Sequence, residues 1–468
     1  MLRIGLAKLE VTPPLTVPYL SYYPRHTAFQ GIHDPLLARA LVAENDSTRL
    51  AIVTVDSLGL NRAVLGEGRD FIAEVRERTE RRTGIPGQNV LIAATHAHST
   101  PATSGTAPLN ESSGPGRAGA VPGAEPAFPD VEPWLEELAE RLARAVEQAW
   151  AGRAPAELRA AVGMAAGIAW CRRIVTRDGR LVTLQHRPSD DQVVKEPRDD
   201  RVPVLLARGE DWCGATIGFT CHPVTVQVQP LVSADFPGVA CGIVERELAA
   251  RACLFLQGAA GNVNPVRGTT DFQDVAVYGG ALGGEALRLL SLLGARDVAP
   301  MSEALAVGSE TVEVQRRPLP DVRNLERQVA EREALIPLAT TESERREAIA
   351  AYRRVVEPLR LARLGAAPVR IEVQALRLGE ALIVAVEGEL FVEYGNRIKE
   401  ASPAPVTFVA AYSNGQEGYI PTPESFDEGG YEVAPGPWTR VGRNAGDEVT
   451  ARAIALAQRV WREGATAR

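Results

Sequence analysis

The chain has 468 residues, 45% hydrophobic and 24% charged, the balance of a globular protein with a sizeable core. Its formal net charge of −8 argues against nucleic acid as a partner and against a polybasic membrane anchor, both of which call for a basic face. The five cysteines (Cys171, Cys213, Cys221, Cys241 and Cys253) are dispersed and form no Cys-x-x-Cys pair, so they read as reduced residues and exclude a disulfide scaffold or zinc knot.

No stretch approaches about 18 uninterrupted apolar residues, and the N-terminus has no long apolar signal region. The expectation is a cytoplasmic protein without a transmembrane segment.

In chain order, Gly5 to Glu10 alternates like a strand and breaks at Pro13-Pro14. Gly31-Ile32-His33-Asp34 follows, leading to Ala43. Leu50 to Asp56 reads as a buried strand ending in a carboxylate, and residues 66–84 as a charged amphipathic helix. Val90 to Ala94 is a second buried strand, ending in Thr95-His96-Ala97-His98-Ser99. An extended backbone would turn His96 and His98 to the same side. That spacing suits a zinc site; on the tripeptide alone, a hydrogen-bonded core histidine with a solvated neighbour fits as well. Strand, helix and strand predict parallel pairing in an α/β layer, with Asp56 and the histidines at neighbouring carboxyl ends.

Residues 103–130 form a Gly/Pro-rich loop of the length used by lids and binding loops. Trp134 to Trp150 has a strong helical pattern, and a strand-like stretch then runs to Cys171-Arg172-Arg173, where an arginine can meet a carbonyl or anion. Val202–Ala207 and Gly214–Cys221 read as strands, the second ending in His222-Pro223 and so repeating the strand-then-histidine punctuation. Ser233-Ala234-Asp235-Phe236-Pro237-Gly238 is expected to lead into a helix through Glu245 and Glu247.

After the strand Cys253–Gln257, the turn from Gly258 to Pro265 is suited to presenting backbone N–H groups to an oxyanion. It matches neither a P-loop nor a dinucleotide fingerprint, which excludes nucleotide binding on motif grounds. Residues 321–364 read as a helical hairpin with breaks at Pro337 and Pro358, suited to a dimer contact or a pocket wall, and leave a homo-oligomer open. Strands at 369–378 and 381–386 run into Glu387-Gly388-Glu389. A further strand reaches Tyr412, before a loop carrying Gly418-Tyr419-Ile420-Pro421 and Gly429-Gly430-Tyr431, and a closing helix spans about Asp447 to Arg462. No internal repeat is visible, and the chain is read as a single unit, 1–468.

Taken together these fragments resemble the catalytic domain of the neutral/alkaline non-lysosomal ceramidases. The resemblance rests on Gly5-x-Ala7 through Thr12-Pro13-Pro14, Gly31-Ile32-His33-Asp34 with Ala38-Arg39-Ala40, Thr95-His96-Ala97-His98-Ser99 and Cys171-Arg172. It continues through Thr220-Cys221-His222-Pro223, Ser233-Ala234-Asp235, Gly261-x-x-x-Pro265, Gly388-Glu389, and Tyr419 with Tyr431 twelve residues later. It covers the catalytic part only, and the immunoglobulin-like domain that follows in full ceramidases is expected to be absent.

The implied fold is α/β, a mixed multi-sheet catalytic domain flanked by helices. The resemblance implies Zn2+ held by His96, His222, Glu389 and Tyr419, with His98, Arg172 and Tyr431 as catalytic groups around it. His33, Asp56, Gly261 and Asn264 are placed at the substrate or behind the ligands. Such a set leaves a position for a water whose pKa falls to about 7. His98 is then suited to passing a proton to the leaving amine, and Arg172 and Tyr431 to stabilising an oxyanion.

Relatives often carry Asp and Ser where this chain has Asn262 and Asn264, and Asn where it has Cys171. A serine nucleophile at 264 is therefore excluded. The resulting expectation is a zinc-dependent hydrolase that cleaves the amide bond of a ceramide-like or other N-acyl substrate with metal-activated water. Its rivals are a zinc esterase or lactonase on a small soluble substrate and a non-catalytic small-molecule-binding protein of the same fold.

Overall fold

The computed structural model describes residues 1–18, 28–66, 68–101, 103, 130–183, 189–266, 271–295, 297–319 and 321–466. Within them one order of elements occurs three times: a strand, an insertion, a two-stranded hairpin, a short helix, an edge strand and a long helix. The first copy has strands Arg3–Glu10, Leu37–Glu44 and Arg49–Val55, helix Phe71–Thr83, strand Val90–Ala94 and helix Val131–Ala151. The second has strands Glu157–Met164, Arg201–Arg208 and Cys213–Phe219, helix Asp235–Glu247, strand Cys253–Gln257 and helix Phe272–Leu293. In the third these are strands Leu305–Val314, Val369–Leu378 and Ala381–Val386, helix Val392–Ala401, strand Val406–Ala410 and helix Ala445–Thr466.

In each copy the strands lie in the order fourth, third, second, first, and the fourth is parallel to the third. A parallel neighbour cannot be reached by a tight turn, so the short helix supplies each crossover. The α/β architecture is thus as expected, while the repeat is a finding that the sequence did not disclose. The copies share topology rather than residues, and the insertions at 11–36, 165–200 and 315–368 hide the period.

Near-continuous apolar strands follow from burial on both faces. Leu50, Ile52, Leu91 and Ala93 of the first sheet meet Leu205, Leu254 and Leu256 of the second and Leu376, Ile383 and Phe408 of the third in one shared core. The alternate residues Ala51, Val53 and Val55 face outward against Phe71, Ile72, Leu138 and Leu142 of the helices. The three sheets therefore pack back to back, each covered outside by its short and long helix.

Their fourth strands are stitched together at the carboxyl ends. Ala94 N donates to Tyr412 O at 3.0 Å, Asn414 N to Ile92 O at 2.7 Å, and Ala411 N to Gln257 O at 2.9 Å. This junction is where the histidines lie.

Two boundaries differ from expectation. The first short helix starts at Phe71 rather than Gly66, because the Asp70 side chain caps Ala73 N and a 3-10 turn takes Arg62–Leu65. Pro358 lies inside the continuous helix Glu342–Arg363, whose buried stripe of Ile349, Tyr352, Val356 and Leu359 runs across it. Pro337 does mark a break, in a short 3-10 turn at Ile336–Leu338. The Gly/Pro-rich loop expected at 103–130 lies outside the described residues except for its two ends. Among the described residues all five cysteines are free, and no helix is long and apolar enough to cross a membrane.

Candidate metal centre

The strand Val90–Ala94 stops two residues before His96, which adopts φ 64°, a left-handed conformation uncommon for a residue with a side chain. The expected extended alternation is therefore not what pairs His96 with His98. A tight turn does it, and brings their Nε2 atoms to 3.1 Å. His96 Nδ1 contacts the carbonyl oxygen of Leu58, which can only accept, so Nδ1 carries the hydrogen and Nε2 a lone pair. His222 is arranged the same way. Its backbone N donates to Val263 O at 3.0 Å, its Nδ1 donates to Ala260 O, and its Nε2 is left facing inward. Burial drives the pKa of both rings down to about 3, so they are neutral over the whole physiological range.

Glu389 follows the strand Ala381–Val386 through Gly388, whose φ of 132° a side chain would not tolerate. Its Oε1 accepts from Gln416 Nε2 at 3.1 Å, and its Oε2 stands 3.5 Å from His96 Nε2 and 3.4 Å from His222 Nε2. Both Glu389 Oε2 and His222 Nε2 are buried without a hydrogen-bond partner among the described residues. Burial pushes the Glu389 carboxyl upward, against the pull of His96, Arg172 and the nearby Tyr419 hydroxyl.

Among the described residues, two inward imidazole lone pairs and a carboxylate oxygen without a hydrogen-bond partner converge here, with His98 Nε2 the donor facing His96 Nε2. The residues present therefore fit a metal ion. Among the described residues, His96, His98 and His222 also form a group whose ligand atoms lie within 4.8 Å of one another. The two candidate sets share His96 and His222 and differ in Glu389 against His98.

Arg172 organises the far side. It comes from the second copy's insertion and is fully buried. Its Nε donates to Glu432 Oε1 at 2.8 Å, Nη1 to Asn264 Oδ1 at 3.1 Å, and Nη2 both to Gly261 O at 2.8 Å and to Tyr419 Oη at 3.0 Å. Four of the five guanidinium donors are thus committed to protein. Arg173 Nη1 holds the other Glu432 oxygen at 2.9 Å, so the wholly buried Glu432 lies between two guanidiniums, which keep its pKa below the usual carboxylate range despite burial. The Tyr419 ring lies edge-on to Tyr431 at 5.8 Å, and Tyr431 is half-exposed and stacked on Trp438 at 5.6 Å. Tyr431 stands at the solvent side of this group.

Other expected site residues are placed elsewhere. Asp56 accepts from Leu37 N at 2.9 Å and from Arg39 at 3.0 Å, a buried ion pair that Glu245 completes, and the Leu58 carbonyl orients His96 in its stead. His33 stacks on Phe272 at 3.7 Å and bonds Asp34 at 2.7 Å, beside the start of the helix Asp235–Glu247. In the turn expected to present N–H groups, the amides of Gly258, Ala260, Gly261 and Val263 donate to protein carbonyls. The turn acts instead through its own carbonyls at Ala260 and Gly261, which hold His222 and Arg172. Asn262 accepts from Val392 N at 2.9 Å and donates to Glu393 at 2.9 Å, which anchors the start of the helix Val392–Ala401. Gln416, Glu432 and Tyr412 were not singled out in the sequence. A buried glutamine in a loop and an acid following an exposed tyrosine carry no local pattern.

The fold and this buried histidine–carboxylate cluster define an α/β protein with a candidate metal centre at the meeting point of three sheets. In fold the chain is ceramidase-like. It superposes on the crystal structure of neutral ceramidase from Pseudomonas aeruginosa with a TM-score of 0.67 over 98% of this chain and 75% of that one, at 18% identity. A ceramidase complexed with C2 matches with a TM-score of 0.67 at 17% identity, with the same coverage. In sequence, neutral ceramidase of Drosophila melanogaster is 30% identical over 103 residues, which make up 21% of this chain and 14% of that protein. No family model matches the chain.

Proposed function

We propose that the chain is a zinc-dependent hydrolase that cleaves the amide bond of an N-acyl substrate. One observation carries the proposal: Glu389 Oε2 lies 3.4–3.5 Å from the lone-pair nitrogens of His96 and His222, and Glu389 Oε2 and His222 Nε2 are buried without a hydrogen-bond partner among the described residues. His96, His222 and Glu389 would hold the ion, with Tyr419, whose hydroxyl oxygen accepts from Arg172, as the fourth and more weakly held group. Zinc bound there supplies Lewis acidity and an activated water.

The chain's own residues do the rest. The Leu58 and Ala260 carbonyls fix the two ring tautomers, and Arg172 fixes the Tyr419 hydroxyl. His98, partly exposed and adjacent to His96, would carry a proton to the departing amine. Tyr431 lines the mouth next to Tyr419. Asn264 is bound to Arg172, so attack by a side chain at that position plays no part. The names of the structural neighbours support amide rather than ester chemistry.

The test is hydrolysis of N-acyl amides and matched esters of graded acyl length by chelator-treated protein before and after zinc is restored. Amide cleavage that disappears with the chelator and returns with zinc is expected. Ester cleavage alone would move the assignment to an esterase, and no turnover by zinc-loaded protein would leave a binding protein.

A further inference from the structure

The centre contains a buried phenol that the protein does not use. Tyr412 lies two residues beyond the strand Val406–Ala410, as His96 lies two residues beyond Val90–Ala94. In the threefold topology it is therefore the third copy's counterpart of His96. The second copy has Ala259 at this place. The backbone repeats the correspondence, with φ 64° at His96 and 56° at Tyr412, a conformation that bulky residues keep mainly where function holds them. The two positions are tied together, because Ala94 N donates to Tyr412 O at 3.0 Å while Tyr412 N donates to Gly388 O at 3.1 Å, next to Glu389.

The Tyr412 ring is stacked on the imidazole of His96, with centroids 3.9 Å apart and planes 24° apart, and is 6.1 Å from the ring of His222. It is 1% exposed, yet its hydroxyl has no hydrogen-bond partner among the described residues. Native structures rarely leave such a group unpaired. A phenol carries its proton at neutral pH, with an ordinary pKa of about 10. It is accordingly a donor without an acceptor, beside an arginine whose own donors are largely committed.

We propose that Tyr412 is a substrate-contacting residue whose hydroxyl donates a hydrogen bond to the acyl oxygen of bound substrate or carboxylate product. The proposal rests on the metal-hydrolase reading. A preformed donor of this kind binds an oxygen more tightly as negative charge develops on it, so the contact favours the transition state over the ground state.

The test uses Tyr412→Phe, which keeps the ring on His96 and removes only the oxygen. Three quantities are read on wild type and variant: zinc content and affinity by chelator competition, the thermal midpoint, and butyrate binding to the zinc-loaded protein by calorimetry. The expected result is unchanged zinc stoichiometry, zinc affinity within about twofold, a midpoint no lower than wild type, and butyrate binding weakened about 10- to 100-fold, the range of a hydrogen bond to a charged group. Equal butyrate affinity in the two proteins, or no butyrate binding by zinc-loaded wild type, overturns the proposal. Loss of zinc from Tyr412→Phe also overturns it, by making the oxygen a metal ligand. A wild type that takes up no zinc is a separate result, read from metal content, that removes the hydrolase reading and this inference with it.

Discussion

Gln416 is the residue whose replacement most sharply separates a metal centre from an ordinary buried cluster. Its Nε2 donates to Glu389 Oε1 at 3.1 Å, and its backbone carbonyl is held by Asn61 Nδ2 at 2.9 Å, so the amide is fixed in place and aims Oε2 at the two histidines. Gln416→Leu keeps roughly the same volume, removes that donor and frees the carboxylate to rotate. A hydrogen bond to a charged group is worth about 1.5–3 kcal/mol. Zinc affinity should therefore fall about 10- to 100-fold, the range typical of groups that support a ligand. The metal-free fold should lose less than the zinc-bound one, because Glu389, whose carboxyl burial pushes upward, can take up a proton there when Oε1 loses this donor, and Gln416 Oε1 has no partner among the described residues. Competition against a chromophoric chelator gives the affinity, and urea unfolding of the metal-free proteins gives the control. Zinc affinity within twofold of wild type, with folding intact, would refute the idea that Gln416 aims a metal ligand.

His98→Ala is expected to retain stoichiometric zinc while turnover falls about 100-fold or more, the usual contribution of a placed acid–base group. Loss of zinc would move His98 into the ligand set in place of Glu389. Arg172→Met leaves the wholly buried Glu432 with one guanidinium instead of two and also releases Tyr419, Gly261 and Asn264. Urea unfolding should show a loss on the order of 3–5 kcal/mol, and a change below about 1 kcal/mol would contradict the organising role. The pH dependence of the metal-free protein follows from His96 and His222, whose pKa values burial lowers from 6.5 to about 3. Below pH 6.5 the unfolded chain takes up protons that the folded one refuses, so stability is full above that pH and lost as the pH falls toward 3. Each ring contributes a slope of about 1.4 kcal/mol per pH unit. Denaturant titrations across this window should show the slope roughly halved in His222→Gln, and a flat profile in wild type would refute the assignment.

The parts of this site that could be read in the sequence are those where one residue type in one place has few uses. A histidine next to the end of an apolar strand, found twice, pointed to His96, His98 and His222, and the structure brings these together. Glu389, Arg172, Tyr419, Gly261 and Asn264 came through resemblance, and all lie around the same centre. Asp56 was misplaced because a carboxylate at a strand end reads the same whether it faces a histidine or, as here, Arg39. The turn at 258–265 was read for its amides, and only the tertiary structure shows that its carbonyls do the holding. The threefold topology could not be seen because residues 11–36, 165–200 and 315–368 have different lengths and different elements, and topology leaves no fixed residue period. Tyr412 was invisible for a related reason: its likeness to His96 is one of position in the fold.

The most direct test of the account is the zinc content of purified protein, measured by elemental analysis alongside His222→Ala. About one zinc per chain is expected in wild type and none retained stoichiometrically in the variant, because that substitution removes an inward nitrogen 3.4 Å from Glu389 Oε2. Stoichiometric zinc in His222→Ala would contradict the ligand set. Absence of zinc from wild type after reconstitution would contradict the metal centre itself.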